Sequence, residues 1–240
     1  MARVCVCDDR LTVTPSGELC VIPGSLGLRQ VLIYSTPGVH QFRKADYPWL
    51  ARVYVKVQGA GGGSGGANAA AGELIARPGG AGGGYSEALI EVASLGATES
   101  VVVGAGGAAG GGNNPGGNGG TSSFGGFAVA FGGDGGTANM TTGTAFSTST
   151  GIPGPLVGTG NGNSGGGGAG GGAIRLSATQ GMSGVGGESR LGHGGFQRGG
   201  EGPGSAPRGR GGGAGGALST GTSVPGAEGG HGLVIVELHG

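Results

Sequence analysis

Side chains able to do chemistry are few in this chain and badly placed for it. His40, His193, His231 and His239 are scattered and lack the His-x-x-x-His spacing that would bring two imidazoles to one metal. His40 stands six residues before Asp46, and the pair reads as part of a surface loop. Cys5, Cys7 and Cys20 are an odd set, so they cannot all pair within one chain, and Cys-x-Cys is tighter than the usual zinc spacing of Cys-x2-4-Cys. Reduced or buried thiols are the simpler reading. Asp8 and Asp9 read as a solvated turn. Gly-x-Gly-x-x-Gly recurs, but none of its copies follows a strand and opens a helix, and no Walker pattern is present. No serine stands on a nucleophile elbow leading into a helix. The chain therefore reads as non-enzymatic, with no catalytic residue, no cofactor and no metal expected.

What remains is chemistry of recognition. The stretch from Thr137 to Ser164 gathers hydroxyls and amides around the apolar Met140 and Phe146. Short polar side chains on a rigid support suit a cell-wall glycan, and Asn139, Thr141, Thr142, Thr144, Phe146, Asn161 and Asn163 form the candidate receptor-contact loop. The alternative is a solvated loop or a subunit contact. Arg208-Gly209-Arg210-Gly211-Gly212 has the look of an RNA-binding patch. In a chain of zero formal net charge it reads equally as guanidinium packed against carbonyls.

A rigid support is the difficulty, because 69 of 240 residues are Gly. Gly brings no side chain to a core and loses the most backbone entropy on folding. Against disorder stand a hydrophobic fraction of 35% and only 11% charged residues. The apolar residues also come in short blocks. Val53, Val55 and Val57 alternate with Tyr54 and Lys56, the period of a half-buried strand, and run straight into 59–66. Similar blocks lie at 87–92, 99–103, 127–131 and 233–238, each beside a glycine tract. No segment reads as an amphipathic helix. The tracts break the collagen phase at Asn68, which leaves looser polyproline II helices packed side by side, their backbones joined by N–H···O bonds that only Gly, Ala and Ser leave room for. The expected fold is mainly β, a short-strand sandwich or jelly-roll-like framework bearing glycine-rich polyproline II tracts, with little or no helix.

Ahead of this body, Leu11-Thr12-Val13 and Leu19-Cys20-Val21-Ile22 flank the turn signal Pro15-Ser16-Gly17 and read as a small hairpin. Two units follow: an N-terminal docking segment, 1–30, and a glycine-rich β/polyproline II domain, 31–240.

The order of the glycine motifs carries a resemblance. Val53-Tyr54-Val55-Lys56-Val57-Gln58-Gly59-Ala60-Gly61-Gly62-Gly63 is followed by Gly79-Gly80-Ala81-Gly82-Gly83-Gly84-Tyr85-Ser86-Glu87-Ala88. Then come Val101-Val102-Val103-Gly104-Ala105-Gly106-Gly107 and Gly116-Gly117-Asn118-Gly119-Gly120-Thr121-Ser122-Ser123-Phe124-Gly125. With the closing run Gly232-Leu233-Val234-Ile235-Val236-Glu237-Leu238, this resembles the glycine-rich domain of bacteriophage tail and tail-fibre proteins. The first segment is similar to the start of minor tail proteins of actinobacterial phages. The resemblance spans roughly Tyr34 to Gly240. It implies a structural virion protein of a tail tip or fibre, a homotrimer that meets other tail proteins through the N-terminal segment and contributes to host-cell attachment, its partner there a surface glycan. The alternative is a bacterial cell-surface or cell-wall glycine-rich structural protein.

Neutral charge, with a pI near 6.9, speaks against nucleic acid as the main partner. No apolar run approaches a membrane span, and Met1 to Arg10 does not read as a signal peptide. The expected location is the virion, after synthesis in the host cytoplasm.

Overall fold

In the computed structural model, 26–240 are described in full, preceded by the backbone of Leu11–Val13, Pro15 and Leu19–Val21. The strands in chain order are β1 Leu11–Val13, β2 Leu19–Val21, β3 Leu28–Tyr34, β4 Gly38–Arg43, β5 Arg52–Gln58, β6 Ile75–Ala76, β7 Tyr85–Glu91, β8 Thr98–Val103, β9 Ser122–Phe124, β10 Ala128–Ala130, β11 Ser147–Ser149, β12 Ala173–Arg175, β13 Gly181–Met182, β14 Gly192–His193, β15 Arg208–Gly209, β16 Leu218–Ser219 and β17 Leu233–His239. Among the described residues, helix is confined to two single 3-10 turns, Lys44–Asp46 and Val92–Ser94. The chain is mainly β, as its pattern predicts. β1 and β2 pair antiparallel, Leu11 opposite Val21; Cys20 lies opposite Thr12, while Cys5 and Cys7 lie outside the described residues.

Two four-stranded antiparallel sheets, β3-β17-β5-β7 and β10-β9-β8-β4, face each other as a sandwich. Its core follows from alternation. Val53, Val55 and Val57 of β5 and Val234, Val236 and Leu238 of β17 are fully buried, and they meet Val101, Val103, Phe42, Phe124, Ala128 and Ala130 of the other sheet. Tyr54, Lys56 and Glu237 point outward, where Lys56 Nζ and Glu237 Oε1 pair at 2.6 Å. The last strand, β17, lies between β3 and β5, so the two ends of the fully described chain meet in one sheet. β3 begins at Leu28, with Leu28 opposite His239. The glycine-rich body therefore starts a few residues before the boundary at 31 that composition suggests, because the strand's first residues contain no glycine to mark it.

Most strands of the sandwich continue directly into glycine runs: β5 into 59–66, β8 into 104–110 and β10 into 132–137, while 78–84, 115–120 and 225–232 lead into β7, β9 and β17. The run 59–66 sits at the centre. Its N–H groups bond to three neighbours in strict rotation. Gly59 and Gly62 donate to Gly84 and Ala81; Ala60, Gly63 and Gly66 to Gly120, Gly117 and Asn114; Gly61, Ser64 and Ala67 to Gly230, Ala227 and Val224, all at 2.8–3.1 Å. Three residues per turn is the polyproline II repeat, and the falling partner numbers make these neighbours antiparallel. Its carbonyls accept from three further runs: Gly133 and Gly136 bond to Ala60 and Gly63, Gly107 and Gly110 to Gly61 and Ser64, and Ala214 to Gly62. One extended strand of chain thus has six neighbours, where a strand in a sheet has two. The expected polyproline II tracts are present as a hydrogen-bonded bundle.

Glycine is required here for want of a Cβ, not for an unusual dihedral: no residue in 59–66 has a positive φ. A Cβ on Gly62 would lie 2.1 Å from Asp134 O, inside the neighbouring backbone, whereas one on Gly111, at the bundle's margin, would have nothing within 4 Å. Where side chains enter the interior they are small or fully bonded. Gln58, wholly buried where β5 becomes the central run, donates through Nε2 to Gly83 O and Gly84 O at 3.0 and 2.9 Å and accepts from Leu191 N. Gly62→Ala is expected to cost about 3 kcal/mol or more, the upper end of overpacking penalties, because rigid backbone and no flexible side chain stands in the way. Gly111→Ala should be near neutral, and thermal unfolding of the two variants side by side checks the contrast.

Candidate functional site

The bundle separates the sandwich from a second, smaller structured end. There β6 pairs with β16 and the sheet β11-β12-β13 forms. Two apolar clusters support it: Leu74, Ala76, Met140, Ala173 and Leu218, and Ala67, Ala69, Ile75 and Ala217. Five of these nine side chains are alanines, so the apolar area at this end is modest. Two buried arginines complete the job.

Arg77 is 1% exposed. Its Nε donates to Gly66 O at 2.7 Å, Nη1 to Met140 O at 2.8 Å and Nη2 to Asn113 Oδ1 at 2.7 Å. Arg175, also buried, donates through Nε to Ala145 O at 2.7 Å and through Nη1 to Leu74 O and Thr141 O at 2.7 and 2.6 Å. Burial pushes the Arg77 guanidinium down to about 10, still far enough above neutrality for it to be charged. Among the described residues the close basic–acidic contacts are Lys56–Glu237 and His193–Glu188, so neither arginine has a carboxylate partner. Both guanidiniums instead clamp the loop 139–146 by its carbonyls. Gly143 passes so close to Arg175 that a Cβ would lie 3.0 Å from Nη2. Thr142 Oγ1 adds a bond to Glu73 Oε2 at 2.5 Å and accepts from Ala70 N.

The loop so held presents Asn139, Thr141, Thr142, Thr144 and Phe146 at the surface, Phe146 66% exposed. Thr141 and Thr142 line a cleft of about 250 Å³ with Ile75, Arg77, Asn113 and Met140. Asn161 and Asn163 are elsewhere. The amide of Asn161 bonds both backbone groups of Leu89, Oδ1 from its N–H and Nδ2 to its C=O, each at 2.8 Å, so this side chain extends the β7 edge. Asn163 lines a different cleft, of about 280 Å³, with Tyr85, Glu188 and Arg190. The 78–84 run separates the two groups by about 20 Å at the polyproline II rise, so the seven candidates form no single surface. The chain between them runs back along the bundle, Ile152 bonding to Gly170 and Thr159 to Val129.

Sequence reasoning passed over Arg77, Arg175 and Gln58. A signal was present for the arginines: each is the lone charge in an apolar block, Leu74-Ile75-Ala76-Arg77 and Ala173-Ile174-Arg175-Leu176. Arg210, of the basic patch, donates to Ser35 O at 2.9 Å, and His40 Nε2 lies 2.8 Å from Thr36 O.

A second polar cluster marks the junction of sandwich and bundle. Tyr54 Oη and Tyr85 Oη both donate to the Glu87 carboxylate, the latter at 2.7 Å. Burial alone would raise the Glu87 pKa, but the two phenols, the Asn163 backbone and the charge of Lys56 outweigh it and hold the carboxyl below its usual range. The bond to Glu87, with smaller help from burial, pushes Tyr54 up to about 12; burial first and then the same carboxylate raise Tyr85. A raised tyrosine pKa gives stability that is complete below pH 10 and lost as pH rises through about 12; the lowered Glu87 gives stability lost on acidification below the ordinary carboxyl range. Tyr54→Phe should flatten the alkaline fall of the melting temperature and reduce the acid one, as scanning calorimetry between pH 3 and 12 would show.

The family model described as "Glycine-rich domain" matches residues 40–239. No curated protein matches the sequence. The match takes in the sandwich apart from β3 and the start of β4, and every run of the bundle, and by it the chain belongs to the glycine-rich domain family.

Proposed function

We propose that this protein is a structural component of a phage tail tip or fibre that contributes to host-cell attachment. The observation that carries the reading is the polarity of the molecule. Leu26 N bonds to Gly240 O at the end of the sandwich remote from the bundle, which puts the start of β3 at that end. The clamped polar loop 139–146 stands at the opposite end, beyond the glycine runs. In this reading the first end docks on other tail proteins and the loop end touches a cell. A bundle with backbone bonds in place of a side-chain core supplies a stiff spacer between them.

Self-association is part of the proposal. β3 and β4 are both edge strands, and Leu28, Val31, Ile33 and Val39 are exposed on them. An apolar edge of this length calls for a cover, and a homotrimer supplies one. Light scattering is expected to give three times the chain mass of 22.4 kDa. The double variant Ile33→Lys, Val39→Lys should fall to monomer with an unchanged circular dichroism spectrum. A wild-type monomer would sink the trimer. Antibody labelling of purified phage particles tests the location, and label absent from the tail would sink the reading as a whole.

A further inference from the structure

The cleft beneath the 139–146 loop has a property that its role as a support does not use. Guanidinium carries five N–H groups, and Arg77 spends three, on Gly66 O, Met140 O and Asn113 Oδ1, leaving two without a partner among the described residues. This side chain is almost wholly out of solvent, yet it lines the cleft beside Thr141, Thr142 and Asn113. Arg175 lies under the same loop, bonded to Thr141 O and Ala145 O. Facing them is one acid, Glu73, tied to Thr142 Oγ1 at the rim. Two buried cations against one carboxylate leave the loop in a positive field, and a desolvated cation attracts an anion far more strongly than an exposed one. Planar N–H pairs suit oxyanions. The exposed ring of Phe146 comes directly before β11, whose Ser147 pairs with Arg175, and such a ring is a platform for the apolar face of a sugar.

We infer that this cleft binds the oxyanion of a charged surface glycan, a phosphate diester or a carboxylate, with Arg77 as the anchor and the Thr141 hydroxyl at its lip. The inference rests on the attachment reading for its biological sense and gives that reading a ligand class. A neutral polymer would leave the cation uncompensated and is the wrong partner.

The test titrates the full chain, in its native assembly, with three probes by calorimetry at low salt: a glycerol-phosphate oligomer, an oligogalacturonate and a neutral dextran. At least tenfold tighter binding of one charged probe over dextran is expected, weakening as salt is added. Preference between the two charged probes assigns phosphate or carboxylate. Thr141→Glu places a negative charge at the cleft lip without removing a partner of either arginine, since their bonds run to backbone carbonyls and to Asn113 Oδ1, so the fold should survive and charged-probe binding should drop at least tenfold. Absence of binding by both charged probes overturns the inference, as does equal binding of dextran or undiminished binding by the variant. Adherence of the wild-type chain to a panel of actinobacterial cells is scored separately. Adherence without charged-probe binding removes the anion site and keeps attachment; charged-probe binding without adherence does the reverse.

Discussion

The rest of the structure depends on one contact: a carbonyl oxygen occupying the space where its neighbour's Cβ would be. Gly61 meets Gly212 O in this way, Gly83 meets Gly59 O, and Gly80 meets Gly62 O. Each approach brings two backbones close enough for a direct N–H···O bond, and the threefold repeat hands the next residue to a different neighbour. Stability here is counted in backbone bonds, each worth about 1 kcal/mol net, where an ordinary domain counts buried side chains. The entropy that glycine loses on folding is offset because nearly every amide within 59–67 gains a partner.

Such a bundle has no side chains with which to choose its own register. Gly61 against Gly230 and Gly62 against Ala81 are chemically almost the same contact, and a slip by three residues would conserve most bonds. The sandwich removes that freedom. Val55 opposite Val236 and Ala88, and Val101 opposite Phe124, fix where each strand ends and hence where each run begins. Gln58 and Ser122 hold the junctions, the latter accepting from Gly104 N at 3.0 Å. An apolar core at one end therefore sets the register for a body that lacks one.

This division of labour explains what could be read beforehand. The alternation of Val53, Val55 and Val57 announced a strand, and the glycine tracts with their Ala and Ser announced packed polyproline II helices. The pairing of 59–66 with 224–230 was invisible, because backbone bonds leave no trace in side-chain identity. The start of β3 at Leu28 was missed for a related reason, since a few ordinary residues before a glycine-rich region look like a linker. The candidate contact loop was legible as an exposed polar segment and no further. Hydroxyls and amides mark an exposed surface equally well whether they face a ligand or, like Asn161, extend a neighbouring strand. The clamping role of Arg77 and Arg175 depends on carbonyls from distant parts of the chain, Gly66, Leu74, Met140 and Ala145, which no local pattern brings together.

Those carbonyls show why the charge is there at all. A glycine run that stops leaves acceptors without partners, as a helix does at its C-terminus. The sandwich end avoids the problem because its runs continue as strands. At the far end some runs pass into the short strands β6, β12 and β16, but the central run ends at a loop, and acceptors there need another donor. A guanidinium serves several at once: Arg77 takes the end of the central run at Gly66 together with the loop at Met140, and Arg175 takes Leu74, Thr141 and Ala145. A guanidinium brings several donors with no acceptor of its own to satisfy. Positive charge at the tip is thus a consequence of ending a polyproline II bundle, and any polar loop laid over that tip inherits the field. An anion-binding surface then needs little more than a gap beside the cap, which Thr141, Asn113 and Met140 leave open.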